Sequence, residues 1–290
     1  MNTFRIGFLI GMIMLVFQFC SVLSADASEI SKGWALFGTY YYESDGARQP
    51  VLWRILGAGV PEFLDITTES NNVKYDEKNR KHPNGDPVTE ENDDLVCMMT
   101  EYIIDYLLYN DFRDVADKTP PLDYQNCQLH QTLQNQVLGD MFTREQISVL
   151  EEMPGRGYIA PPSRLGELFR ADYGFVEEDF VACKKRIATG TPYAYKKGLK
   201  RIGGHSWYWT SDWRRYGSRW IVGDDGHISV SGVDRAGGVR LICYLHTDRI
   251  QAVSGKGTMD DPWILDVLSP SAQIQSSSHP AIATNSDVSQ

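Results

Sequence analysis

Cysteine is scarce in this chain, and the few present lack a pattern. Five occur in 290 residues, none as C-x-x-C, so zinc-ribbon and thioredoxin chemistry are excluded. Histidine is as sparse, with six residues and no H-x-H, i, i+4 or H-E-x-x-H spacing to hold a metal. His205 and His227 are the pair that neighbouring strands could bring together. The spacing favours reading them as half-exposed strand or loop residues. No G-x-S-x-G marks a hydrolase nucleophile. Asp224 and Asp225 lack the ladder of further oxygen ligands that a calcium loop needs. Gly255-x-Gly257 has neither a third glycine nor a following helix to cradle phosphate. No cofactor is expected. Basic charge is also short: 28 Lys and Arg stand against 38 Asp and Glu, a net charge of −10. That balance argues against nucleic acid or an anionic membrane as partner.

What the chain does have begins with an apolar leader. Arg5 precedes a run from residue 6 to 22 broken only by Gln18, Cys20 and Ser21, and the run closes on Ala25-Asp26-Ala27. This is the layout of a cleaved secretory signal over 1–27, too short for a spanning helix and without a basic stop-transfer cluster. Phe17-Gln18-Phe19 before Cys20 are too bulky for a lipoprotein signal. The expectation is a secreted or periplasmic product with no stable membrane span. Cleavage removes Arg5 and Asp26, so the net charge stays at −10. Cys97, Cys127, Cys183 and Cys243 remain, an even number in an oxidising compartment, where disulfide pairing and burial as thiols are both open.

Strands are expected at 34–42 and 50–56, joined by the turn formers Ser44-Asp45-Gly46 as a hairpin. Residues 57–94 are rich in Asn, Asp, Glu, Lys and Pro, which predicts a long loop and no core element. An apolar strand follows at 95–99. Asn126 is placed to cap a helix carrying Leu129, Leu133 and Val137 on one face. Thr143 and Gln146 form a capping box with Phe142 and Ile147 as its staple. Residues 158–160 read as a short strand, 164–170 as a helix capped by Ser163, and 177–187 as another helix. A turn at 193–197 ends at Gly198. Short strands are expected at 206–211, 219–222, 227–230 and 238–244, with Gly223-Asp224-Asp225-Gly226 as a hairpin turn. Strands that flank a helical middle without alternating with it define an α+β domain, here one domain over 33–267. The tail 268–290 is too polar to offset its ordering entropy and is expected to be disordered.

The order of local motifs carries a resemblance. L-F-G-T-Y at 36–40, V-L-W-R-I-L at 51–56, E-Y-I-I-D-Y ending at Tyr106 and D-Y-Q-N-C-Q-L at 123–129 come first. F-T-R-E-Q at 142–146, A-C-K at 182–184, Y-A-Y-K-K-G at 193–198, W-Y-W-T-S at 207–211, G-D-D-G-H-I-S at 223–229 and G-G-V-R at 237–240 follow. This series, spanning 34–245, resembles a bacterial family catalogued as domain of unknown function 6273. Tyr124 departs from the tryptophan usual there. The family is similar to the formylglycine-generating-enzyme branch of the C-type-lectin-like fold, so the resemblance implies that fold. The related enzymes use a close cysteine pair to bind a metal. The comparable strand here, Arg219-Trp220-Ile221-Val222, carries no cysteine, and Cys243 reads as a core or disulfide residue. The segment 253–265 resembles a closing strand motif of exported bacterial proteins.

One cluster stands out: Trp207, Trp209, Trp213, Arg214, Arg215, Tyr216, Arg219 and Trp220 fall within fourteen residues. Alternation puts Trp207 and Trp209 on one strand face and Tyr208 on the other, with one face in the core. Asp212, Trp213, Arg214, Arg215 and Tyr216 are expected in a surface loop between strands, with Arg219 nearby. Exposed Trp and Arg are the residues that dominate recognition sites. The alternative is that these aromatics simply seal the domain. The reading is a non-catalytic binding or structural module for an unknown ligand, a glycan or peptide. The rival is a metal-dependent enzyme distantly related to the formylglycine-generating enzymes.

Overall fold

A computed structural model describes residues 30, 32–61, 90–111, 124–163, 167–168, 186–215 and 217–268. The leader, residues 269–290 of the expected tail, residues 177–185 of the helix expected at 177–187, and Cys183 lie outside these residues, and Arg186 and Ile187 are not α-helical. Eleven strands are described: β1 Gly33–Tyr41, β2 Arg48–Pro61, β3 Glu90–Thr100, β4 Asp105–Leu108, β5 Tyr208–Arg215, β6 Ser218–Val222, β7 Ile228–Gly232, β8 Ala236–Val239, β9 Ile242–His246, β10 Ile250–Ser254 and β11 Trp263–Val267. They form two sheets, ordered β10-β11-β1-β2-β3-β9 and β4-β8-β5-β6-β7. Pairing is antiparallel except at β1–β11 and β5–β8. The chain is α+β, with most of its described structure in sheets.

The β1–β2 hairpin forms where turn chemistry dictates. Gly46 takes a φ of 92° and the Asp45 carboxylate accepts from Ala47 N–H, closing the turn. Val51, Trp53 and Ile55 are buried while Leu52 and Arg54 are half-exposed, the period-2 pattern of a strand with one face on the core. Trp53 donates its indole N–H to Phe37 O at 2.8 Å and stacks on Phe142. Gly38 sits where a Cβ would lie 2.7 Å from the Phe142 ring, so only glycine lets β1 approach that ring. Leu95, Val96, Cys97, Met98 and Met99 are all buried, which explains an apolar run without alternation: this strand has core on both faces. β2 and β3 run further than the composition predicted, pairing as far as Pro61 and Glu90. Ladder hydrogen bonds override the polar composition of their ends, and residues 62–89 lie outside the described set.

Helices are short. Gln128–Thr132 (α1), a π turn at Leu133–Val137 and Leu138–Met141 (α2) run on without a break. Leu129, Leu133 and Val137 are all buried, as their spacing predicts. A strict four-residue repeat creeps about 40° per step around an α-helix of 3.6 residues per turn, and the wider π turn takes up that drift. The cap is Cys127, whose Sγ accepts from His130 N–H at 3.3 Å, and not Asn126, which lies in the preceding 3-10 turn. At Arg144–Ile147 (α3) both capping-box bonds form between Thr143 and Gln146. Pro192–Lys196 (α4) starts on Thr191, whose hydroxyl accepts from Ala194 N–H. The strand expected at 158–160 is reduced to one isolated bridge, from Ala160 to Ile242. Of the helix expected at 164–170, only Glu167 and Leu168 are described, and both are helical.

The strand expected at 238–244 is two strands. The chain leaves the second sheet after Val239 and enters the first at Ile242. A matching crossing occurs at 101–104, between β3 and β4. The two are stitched together: Thr100 N–H donates to Leu241 O, Leu241 N–H to the Thr100 hydroxyl, Ile104 N–H to Val239 O and Arg240 Nε to Thr100 O. Among the described residues no helix is long and apolar enough to cross a membrane.

Candidate functional site

Among its described side chains, the aromatic and basic cluster at 207–220 has Trp209 and Arg219 buried and Trp207 and Trp220 half-exposed. Tyr208 and Trp209, on opposite faces of β5, are both fully buried, so neither face is open at the start of this strand. Trp209 donates to Leu107 O and meets the Tyr109 ring edge-on. Asp212 to Arg215 are not a loop between strands. They are the end of β5, in ladder with β6 through the pairs Trp213↔Arg219 and Arg215↔Ser218. The physical reason is hairpin closure at Gly217, φ 67°, which brings the turn later than composition suggested. Asp212 accepts from the Ser163 hydroxyl at 2.9 Å. Trp213, Arg214 and Arg215 are placed here by backbone alone, and Tyr216 lies outside the described residues.

Arg219 is a correction. It is 3% exposed, donates from Nε to the Tyr109 hydroxyl at 3.1 Å, and holds its guanidinium over the Tyr109 ring. A ligand-facing arginine and an arginine stacked inside the fold have the same sequence signature, since both want an aromatic partner.

His205 and His227 each sit in a turn. His205 bridges Ile202, and His227 lies 2.8 Å from the Asp225 carboxylate. Among the described residues no three His, Cys, Asp or Glu side chains gather as a metal set. Cys97, Cys127 and Cys243 are buried thiols outside any disulfide. Cys97 faces Tyr244 and Cys243 faces Met98 across the β3–β9 ladder. Cross-strand partners share a face and successive residues alternate, so the two sulfurs project to opposite sides of the sheet. Burial pushes the Cys127 thiol up to about 11 and the Cys243 thiol well above its usual value. Neither is a ready nucleophile.

The surface offers a different feature. A groove of about 190 Å³ opens where β3 leaves the first sheet. Its walls are Tyr40, Tyr41 and Tyr42 at the end of β1, residues 49–52 of β2, Tyr102 and Ile104 of the crossing, and Thr191. Three elements position it. Thr191 N–H donates to Ile103 O, Ile103 N–H to Thr189 O, and Tyr193 N–H to Tyr42 O, which docks α4 against both the crossing and the hairpin. Tyr40 is the buried floor; its hydroxyl donates to Asp105 at 2.8 Å, and Lys197 pairs with the other carboxylate oxygen at 2.6 Å. Tyr42 and Tyr102 meet edge-to-face at 6.3 Å, both half-exposed. Beside them runs a stack: Arg48 lies over Tyr41, Tyr41 stacks on Tyr193 at 5.1 Å, and Lys197 covers Tyr193.

Chemically the groove offers ring surface, hydroxyls and the Gln49 amide. Burial, then Asp105, pushes the Tyr40 phenol far above its ordinary value, and burial, then Tyr42 and Glu101, raises Tyr102. Both phenols therefore stay protonated donors near neutral pH. The arrangement can hold a ligand by stacking and hydrogen bonding.

A second groove of about 320 Å³ lies beside α1, between His130, Gln134, Glu152 and Tyr158. Its chief polar group is already engaged: the Gln134 amide donates to Ile159 O and accepts from Tyr158 N–H. Burial lowers the His130 pKa, which keeps this ring neutral near neutral pH.

Sequence reasoning missed the tyrosine groove because its walls come from residues 40–52, 102–104 and 191. The signals present were the Tyr40-Tyr41-Tyr42 run, legible only as the end of an aromatic strand, and the Tyr-x-Tyr of 193–195, legible only as a motif of the family resemblance. Fold and site together define an α+β protein with an aromatic surface groove. Comparison with protein-family models, with curated proteins and with solved structures returned no match.

Proposed function

We propose that this chain is an exported, non-catalytic binding module of the C-type-lectin-like group, resembling the bacterial family of unknown function 6273, and that it takes a glycan or peptide in the tyrosine groove. The observation that carries the reading is that groove: half-exposed Tyr42 and Tyr102 beside a buried Tyr40, on a rigid junction of two sheets. Aromatic rings supply large contact area with little rotamer entropy to lose, so they bind ligands well wherever the backbone holds them. Support for the fold assignment is the way the closing strands return to the opening ones, β11 beside β1 and β9 beside β3. Support for export is the apolar leader ending at Ala25-Asp26-Ala27.

The test is an array of glycans and peptides probed with the chain from residue 28 onward, then with Tyr42→Ala and Tyr102→Ala. Hits of the parent protein should weaken about fivefold or more in either variant, since a stacked ring contributes roughly 1–3 kcal/mol. Thermal midpoints should stay close to the parent's. Hits that ignore both substitutions would overturn the groove as the site.

A further inference from the structure

We infer that the outer edge of β7 is a contact surface for a second copy of this chain, which pairs with it antiparallel about a twofold axis at Val230 and joins the two second sheets into one. Four strands end a sheet: β10 and β9 in the first, β4 and β7 in the second. Three of them are blunted. The segment 149–160 covers β9, with Glu151 N–H donating to Tyr244 O and Ala160 N–H to Ile242 O. β10 is broken by a bulge between Ala252 and Ser254, and β4 carries the buried charge of Asp105. β7, with the sequence Ile228-Ser229-Val230-Ser231-Gly232, carries no charge, proline or bulge. Its Ser229 and Val230 are exposed.

The ladder with β6 fixes which groups of β7 face outward. Gly223 N–H donates to His227 O and Val233 N–H to Gly217 O, so these are the hydrogen-bonded pairs at the two ends of the hairpin. Bonded and non-bonded pairs alternate in an antiparallel ladder, which makes Ile221–Ser229 and Arg219–Ser231 bonded pairs as well. Ile228, Val230 and Gly232 therefore turn their N–H and C=O groups away from β6, and nothing among the described residues takes them.

A second copy is the occupant that fits, because this edge is complementary to itself. Ser-Val-Ser reads the same in both directions. A twofold axis at Val230 sets that residue against itself and Ile228 against Gly232, so every outward donor and acceptor of the strand meets one on the other copy. Val230, 36% exposed, shares a face with half-exposed Trp220, its partner on β6, and the pairing sets it against the second Val230. Charge agrees with the same register. Exposed Asp225 comes level with exposed Arg235 of the second copy, once at each end, and no like charges stand opposite one another. An unrelated peptide strand would need neither the palindrome nor the matched ends. Five residues a side is far below the roughly 20–30 of a standard interface, so the dimer is weak, half-dissociated near about 0.1 mM.

The experiment is sedimentation of the chain from residue 28 onward, over about 0.01 to 1 mM, where monomer should give way to dimer. Val230→Lys and Val230→Glu should each weaken the dimer about tenfold or more, since like charges then face each other across the axis. Mixing the two variants should restore a heterodimer, because only a residue that faces itself is rescued in this way. Ile264→Lys, at a position 44% exposed on β11, should change nothing. Thermal midpoints should stay close to the parent's. Amide exchange should find the N–H groups of Ile228, Val230 and Gly232 protected at the high concentration and open at the low one. A monomer throughout, a dimer indifferent to Val230→Lys, or variants that stay monomeric when mixed would each overturn the proposal. Equal protection at both concentrations would mean that the chain covers this edge itself, and would overturn it too.

Discussion

Glu167 is the side chain whose removal the structure prices most directly. Its carboxylate has no solvent exposure and takes four donors: Arg156 Nη1 at 2.7 Å and Nη2 at 3.3 Å, the Tyr244 hydroxyl at 2.6 Å and Ser163 N–H at 2.7 Å. Glu167→Ala leaves a guanidinium only 12% exposed without its counter-charge and strips a buried phenol of its acceptor. Breaking one side of a buried pair costs about 3–5 kcal/mol. For a domain of this size that is a fall in melting temperature of roughly 6–20 °C. The partner Arg156 keeps its bond from Nη2 to Pro161 O, which holds it in place and away from water. Removing both charges together, as Arg156→Met/Glu167→Leu, should restore most of the loss, because an apolar replacement avoids the desolvation that the pair must overcome. Urea unfolding of the two single variants and the double variant gives the cycle. A Glu167→Ala loss below about 1 kcal/mol, or a double variant as unstable as the worse single, would refute the view that this pair is held by mutual compensation.

Acid should destabilise the protein in two arms. Burial alone would raise Glu167 and Glu101, but Arg156 and Arg54 respectively outweigh it and hold both carboxylates below their usual range. Their stabilisation is therefore complete above the unfolded value near about 4.3 and is lost as pH falls through the lower folded values. His130, lowered by burial, adds a shallower loss that starts as pH falls through about 6.5. Melting curves across this range, with Glu167→Gln removing part of the steep arm and His130→Gln the shallow one, check the assignment. Thiol labelling with mass mapping should leave Cys97, Cys127 and Cys243 unmodified in the native protein and modify them after unfolding. Native labelling at stoichiometry would refute their burial. Arg219→Ala should lower stability by about 2–3 kcal/mol, a charged hydrogen bond and a buried stem, and leave the affinity of the folded protein unchanged. Lost binding with intact stability would return Arg219 to the ligand site.

What could be read from the sequence is what short stretches decide. The capping box at Thr143 and Gln146 closes within four residues, and the β1–β2 turn within three, so residue chemistry alone suffices. β3 was legible because a strand with core on both faces cannot help being apolar throughout. Other features depend on who else arrives. Asn126 is the better cap by residue type, and Cys127 takes the role only because the backbone turns its sulfur toward His130 N–H. The split between β8 and β9 is invisible because Val239 to Ile242 is apolar around one arginine, and Arg240 looks exposed until Thr100 O and the Tyr208 ring come to meet it. Arg219 misled for the same reason: the residues that grip a ligand are the ones that grip each other.

The groove follows from the same event that splits the strands. β3 must leave the first sheet at Thr100, because β4 belongs to the second, and Glu101 N–H to Leu52 O is its last bond to β2. Beyond that point residues 49–51 of β2 lose their neighbour, and the crossing segment turns Tyr102 toward Tyr42 instead. Stitching through Thr100, Leu241 and Arg240 makes the departure rigid, so the space left behind has fixed walls. A surface built this way is preorganised without any residue being spared for the purpose, and its rings lose little freedom when a ligand arrives. On this argument, substitutions that loosen the stitch should weaken binding without touching the groove. Thr100→Val, which removes the hydroxyl that accepts from Leu241 N–H, is the smallest of them.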